Sequence, residues 1–212
     1  VDDATREEAS KALAELADPT TVDALVGACG DEYWAVRAHA GRAVAKIGGA
    51  KAVEALIGLF NDSIMDVRND VVAAVASMGA AVVGRLIAAL KDERWRVREH
   101  AAKGCGDIKD RRAVEALMLV CRDRDGAVKS AAAEALGKIG DPRIPDALIQ
   151  SLPDEDWLVR RNAAESLARL GAKQAFEVVE AIVASKDADL ATELDTAFDA
   201  LQKELDLYKV GD

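Results

Sequence analysis

Few side chains in this sequence are suited to chemistry: two histidines, His39 and His100, and three cysteines, Cys29, Cys105 and Cys121. A zinc site needs clustered Cys or His ligands, and a disulfide framework needs cysteines in pairs. An odd number without CxxC spacing fits neither and points to a reducing compartment. The sequence offers no nucleophile with a base partner, no phosphate-cradling glycine loop and no carboxylate pair with a reason to be buried. No catalytic, cofactor-binding or metal-binding residue is therefore assigned, and a non-enzymatic protein is expected.

The polar residues that do recur lie in register. Val36-Arg37, Val67-Arg68, Val97-Arg98, Val128-Lys129 and Val159-Arg160 follow one another at steps of 31, 30, 31 and 31 residues. Six residues before each basic position stands an aspartate: Asp31, Asp62, Asp92, Asp123 and Asp154. Eleven after it stands Gly48, Gly79, Lys109, Gly140 or Gly171, where a helix end favours a residue that accepts positive φ. Lys109 is the one departure.

The elements that must hold these residues are helices. Between basic residue and glycine, apolar positions fall on one helical stripe, as in Ala40, Val44, Ile47 and again in Ala132, Leu136, Ile139. A second helix precedes each aspartate, as in residues 52–60, 81–90 and 113–121. Each unit is a helical hairpin that cannot bury both stripes alone, so the hairpins must stack into an all-α solenoid. The expected organisation is one repeat domain over 1–212. It comprises a partial repeat at 1–17 (second helix only), repeats at 18–48, 49–79, 80–109, 110–140 and 141–171, and a capping hairpin at 172–212. Leu190, Leu194, Phe198, Leu201 and Leu205 give that cap an apolar stripe, which either closes the stack or makes a weak homodimer. Asp18-Pro19 and Asp141-Pro142 fall in connections between hairpins.

Composition agrees. Half of the 212 residues are hydrophobic but only 4% are aromatic, which suits close helix packing, and the net charge of -10 disfavours phosphate backbones and anionic lipid. No apolar run approaches the roughly 20 residues of a membrane span, and the opening VDDATREEAS is too polar for a signal peptide. A cytoplasmic protein without nucleic-acid or membrane partners is expected.

SAAAEALGKIGD (130–141) and DEDWLVRRNAAESLARLG (154–171) resemble the phycobilisome-lyase HEAT-like repeats, with their aspartate, frequent aromatic, Val-Arg and Ala-rich segment ending in glycine. The resemblance covers almost the whole chain and implies an α-solenoid. It is shared by bilin lyase subunits, phycobilisome degradation factors, deoxyhypusine hydroxylases and many scaffolds, so it implies no single activity. By this resemblance the basic residues and aspartates form a structural ladder, each arginine bonding aspartates and carbonyls at the turns. Deoxyhypusine hydroxylases need His-Glu pairs, which are absent here. Cys29 and Cys121 align with Phe60, Leu90 and Leu152, and Cys105 with Val44, Val75, Leu136 and Leu167, which reads them as core fillers.

Trp34, Trp95 and Trp157 stand three residues before the basic position, with Met65 and Gly126 there in the other copies. Such a row can bind an aromatic or proline-rich ligand, or each ring can cover its own turn; the Met and Gly favour the second reading.

In solenoids of the resembled type the second helices line the concave face. The positions read as pointing out of it are His39, Arg42, Lys46, Asn69, Asp70, Glu99, His100, Lys103, Glu134, Arg161, Asn162 and Glu165. Their signs are mixed and none is aromatic, unlike a nucleic-acid groove. The function read from this surface is a non-catalytic scaffold binding a protein partner. The alternative, carried by resemblance alone, is a bilin-lyase-like or other enzyme-accessory protein.

Overall fold

Each repeat places one leucine of its first helix at the centre of its packing: Leu25, Leu56, Leu86, Leu117 and Leu148 all have no exposed surface. Facing them, the valine before each basic residue is also buried, at Val36, Val67, Val97, Val128 and Val159. The computed structural model describes residues 2–16, 18–152 and 154–170. The cap at 172–212, with its apolar stripe, lies outside them.

The chain divides into two compact units, Val1–Ile108 and Lys109–Asp212. The first holds α1 (Asp3–Leu16), α2 (Val22–Ala28), α3 (Trp34–Ile47), α4 (Ala50–Leu59), α5 (Met65–Ser77), α6 (Val83–Ala89) and α7 (Trp95–Ile108). Here α1, α3, α5 and α7 pack side by side as a layer of second helices, while α2 packs on α4 and each first helix packs on the second helix of its own repeat. The second unit holds α8 (Val114–Val120), α9 (Gly126–Ile139), α10 (Pro145–Ile149) and α11 (Trp157–Leu170), with α9 against α11 and the pairs α8–α9 and α10–α11 forming hairpins. Each unit is an all-α solenoid stack, and among the described residues there is no strand.

The second helices are alanine-rich where neighbouring helices cover them, as α8 and α11 cover α9. In α9, Ala131, Ala132, Ala133 and Ala135 are all buried, and small side chains let the neighbouring backbones approach. The approach is closest at Gly137, where an added Cβ would lie 2.2 Å from Ser166 Oγ and 2.9 Å from its Cα. The first helices are shorter, and three begin after a 3-10 turn: Pro19–Thr21, Gly79–Ala81 and Arg111–Ala113. The second helices end at residues of positive φ: Gly48 at 76°, Gly140 at 69°, and Gly79, just past α5, at 65°. Lys109 takes the same conformation at φ 58° without glycine's freedom. Among the described residues no helix is long and apolar enough to cross a membrane.

Candidate protein-binding site

Five aspartates build the turns that enter the second helices. In each, Oδ1 accepts the amide two residues on: Asp31 from Tyr33 at 2.8 Å, and Asp62 from Ile64, Asp92 from Arg94, Asp123 from Asp125 and Asp154 from Asp156 at 2.9 Å. This is an Asx turn, which fixes the chain direction where the helix starts. The basic residues then clamp the same turns. Arg37, Arg68, Arg98 and Arg160 each donate Nη1 to the carbonyl of their own repeat's aspartate and to the next carbonyl.

A second set of bonds crosses between repeats at a separation of 25 residues. Arg37 holds the Asp62 carboxylate through Nε and Nη2, and Lys129 Nζ lies 2.7 and 2.6 Å from the Asp154 oxygens. Arg6 makes a looser rung to Asp31 at 3.5 Å. Burial would raise the pKa of Asp62, but the bonds from Arg37 and from the Ile64 amide win and hold it below the usual carboxylate range. Arg68 makes no such rung among the described residues: the spacing to Asp92 is one residue shorter, and Arg94 occupies that carboxylate with Nε and Nη2 at 2.9 Å. The Nε of Arg68 is buried without a hydrogen-bond partner.

The residues read onto the second-helix face fall into small clusters. In the first unit, Arg42 of α3 joins Asp70 of α5 and also bonds His39 Nδ1, an ion pair that ties two adjacent repeats. Lys46 and Asn69 are exposed, and Lys103 bonds Glu99 at 2.6 Å. In the second unit, Glu134 pairs with Lys138 at 2.9 Å, Arg161 with Glu165 at 2.8 Å, and Asn162 donates to Ser130 Oγ at 2.8 Å.

His100 departs from the expected surface position. It is 2% exposed, its Nδ1 lies 2.7 Å from the Arg96 carbonyl oxygen, and its ring centroid is 6.1 Å from that of Phe60. The reason is a covering element. α4 of the preceding repeat reaches α7 and brings Phe60 over the imidazole, whereas the repeat preceding that of α3 contributes only α1 among the described residues, and His39 stays half-buried. Burial pushes the His100 pKa down.

The cysteines are all buried, and burial raises the Cys29 thiol to about 11 and the Cys121 thiol to about 12, far from nucleophilic range. Among the described residues no group of three or more His, Cys, Asp or Glu is placed to hold a metal ion. Between the hairpins, Arg112 and Arg143 each fork onto the aspartate two residues earlier, and these bonds hold Asp110 and Asp141 at about 2.

One feature escaped sequence reasoning. A cleft of about 540 Å³ opens in the second unit between α8 and α10, with Met118, Leu119, Ala147 and Ser151 among its walls. Leu119 is 71% exposed and sits off the buried stripe of Val114, Leu117 and Val120. The signal was present in the uninterrupted run LMLVC, which leaves one apolar side chain off the core face.

This arrangement of stacked hairpins with an aspartate turn and a basic rung matches the profile of HEAT repeats over residues 1–76, 65–125, 83–154 and 119–194. The chain belongs to the HEAT-repeat family. No curated protein sequence matches it significantly. Among solved HEAT-like structures, the complex of CpcE and CpcF of phycocyanin lyase from Nostoc is 20% identical with a TM-score of 0.63, over 69% of this chain and 97% of that one. Human deoxyhypusine hydroxylase is 20% identical with a TM-score of 0.51, over 93% and 79% of the two chains. Kap95p, in a structure concerned with its binding to RanGDP, is 13% identical with a TM-score of 0.65, over 86% of this chain and 30% of that one. At these identities the likeness is one of fold. In this HEAT-repeat protein the aspartates build the turns, and Arg37 and Lys129 bond the aspartate of the next repeat.

Proposed function

We propose that this HEAT-repeat protein is a non-catalytic scaffold that binds a segment of a protein partner on the face of its second helices. The observation that carries the reading is the Arg42–Asp70 ion pair with His39 on its flank. It joins α3 to α5 and fixes charged groups of both signs in place, with side chains still 41% and 43% exposed. Groups held in place before binding lose less conformational entropy when a partner docks, and alternating sign selects for a partner of complementary pattern. Lys46 and Asn69 extend that face as exposed polar side chains.

The test is an affinity capture from the source cell lysate, comparing wild type with the Arg42→Glu, Lys46→Glu, Lys103→Glu variant, with mass spectrometry of what is retained. A protein retained by wild type and lost from the variant is the expected result. An identical retained set from both proteins counts against the second-helix face, and a coloured, tetrapyrrole-containing eluate replaces this reading with a chromophore-handling one.

A further inference from the structure

Trp34, Met65 and Trp95 are the first residues of α3, α5 and α7, three helices packed in succession in the first unit. They therefore stand at the same end of neighbouring helices, one helix-packing distance apart. Trp34 is 42% exposed, Met65 61% and Trp95 38%, and Ile64 beside Met65 is 38% exposed. The covered sides of the rings are braced: Tyr33 lies 6.2 Å from Trp34, and the Arg96 guanidinium lies 4.7 Å over Trp95. The rings thus complete their turns and still present apolar surface outward. The second unit has two matching positions, Gly126 and Trp157; at Gly126 an added Cβ would meet Asp156 Oδ2 at 2.0 Å, so that site is filled by a carboxylate instead.

We propose that this edge of the first unit docks a proline-rich, basic segment in the polyproline II conformation. Two observations choose that occupant. Neighbouring helix axes lie about 8 to 10 Å apart. A polyproline II helix has three residues per turn and rises about 9 Å per turn, so side chains at i, i+3 and i+6 meet the three anchors in step. A β-strand at about 3.3 Å per residue turns alternate side chains away and does not keep that register.

The second observation is charge. Glu32 and Asp66 are exposed, one carboxylate beside each of the first two anchors. The arginines of the same turns are engaged: Arg37 on Asp62, Arg68 on the carbonyls of 62 and 63, Arg94 on Asp92 and Arg96 over Trp95. Lysines or arginines in the ligand are the complement. The proposal is independent of the second-helix face.

The probe is a labelled peptide of Pro-Pro-Lys repeats, about 12 residues long, read by fluorescence anisotropy and by the intrinsic tryptophan emission. Binding with a shift in emission is expected, weaker by at least about tenfold for a Pro-Pro-Glu peptide and for a flexible Gly-Ser-Lys peptide of the same length. Trp34→Ala with Trp95→Ala removes binding while the helical circular dichroism is retained. Should that pair disturb folding, Met65→Lys alone weakens binding as well. The Arg42→Glu, Lys46→Glu, Lys103→Glu variant binds as wild type does. No binding up to about 1 mM peptide, equal binding of the acidic peptide, or binding that survives loss of both tryptophans overturns the proposal.

Discussion

Arg37 holds Asp62 of the following repeat through two parallel hydrogen bonds, Nε to Oδ2 at 2.6 Å and Nη2 to Oδ1 at 2.8 Å, while its Nη1 reaches the carbonyls of Asp31 and Glu32, both at 2.9 Å. Arg68 makes only the carbonyl half of this pattern, at 2.6 and 3.2 Å. The two side chains therefore separate the value of closing a turn from the value of linking two repeats. Arg37→Ala is expected to destabilise the protein by about 2 to 4 kcal/mol, because it strands a largely buried carboxylate as well as two carbonyls. For Arg68→Ala the expected loss is about 1 to 2 kcal/mol. Urea unfolding of the two variants decides it; equal losses would show that the cross-repeat rung contributes nothing.

His100 gives the protein a pH dependence of definite sign. Its ring is buried against Phe60 and faced by Glu99, Lys103, Arg68 and the Arg96 carbonyl, and burial lowers its folded pKa below the ordinary value of 6.5. The unfolded chain then binds the proton more readily, so stability falls as the pH drops below about 6.5 and levels off beneath the folded value. The unfolding midpoint of wild type is expected to be lower at pH 5 than at pH 7.5, with His100→Gln losing most of that difference. A slope that persists in the variant would assign the effect to other groups.

Glycine content in the second helices is expected to matter only where backbones meet. Gly137→Ala drives a methyl into the Ser166 Oγ, which itself donates to the Ala133 carbonyl at 2.9 Å, and into the Ser166 Cα. A loss of about 2 to 4 kcal/mol follows from moving α9 off α11. Gly84 lies in α6 with nothing within 4 Å of an added Cβ, and Gly84→Ala is expected to gain about 0.5 to 1 kcal/mol from helix propensity alone. Thermal melts of the pair read both signs; a tolerated Gly137→Ala would mean that the two helices can part without loss.

The repeat was legible because its period is carried by residues with few substitutes: a core leucine, a turn aspartate, a clamping base and a residue of positive φ. Lys109 reads as a break in that pattern, yet its backbone adopts φ 58° like the glycines it replaces, and it stands at the start of the second compact unit, a division that periodicity alone does not reveal. The Asx turns are not evident from the pattern, because the same aspartates suit the longer-range bonds to the basic residues equally well. The surface was less legible than the core. Helical offset places His39 and His100 alike, and only Phe60, on another repeat, distinguishes them. Likewise, the single-residue shortening between Arg68 and Asp92 is plain in the sequence, but not that Arg94 would take the vacant carboxylate.

The local aspartate turns bear on how such a chain can lengthen. Every Asx bond closes inside its own repeat, so a gene segment encoding one hairpin can be duplicated or lost with every remaining turn intact and a single junction left to mend. At the 30-residue step between Asp62 and Asp92 the local Asx turn is intact although the cross-repeat rung is missing and Arg94 holds the carboxylate instead.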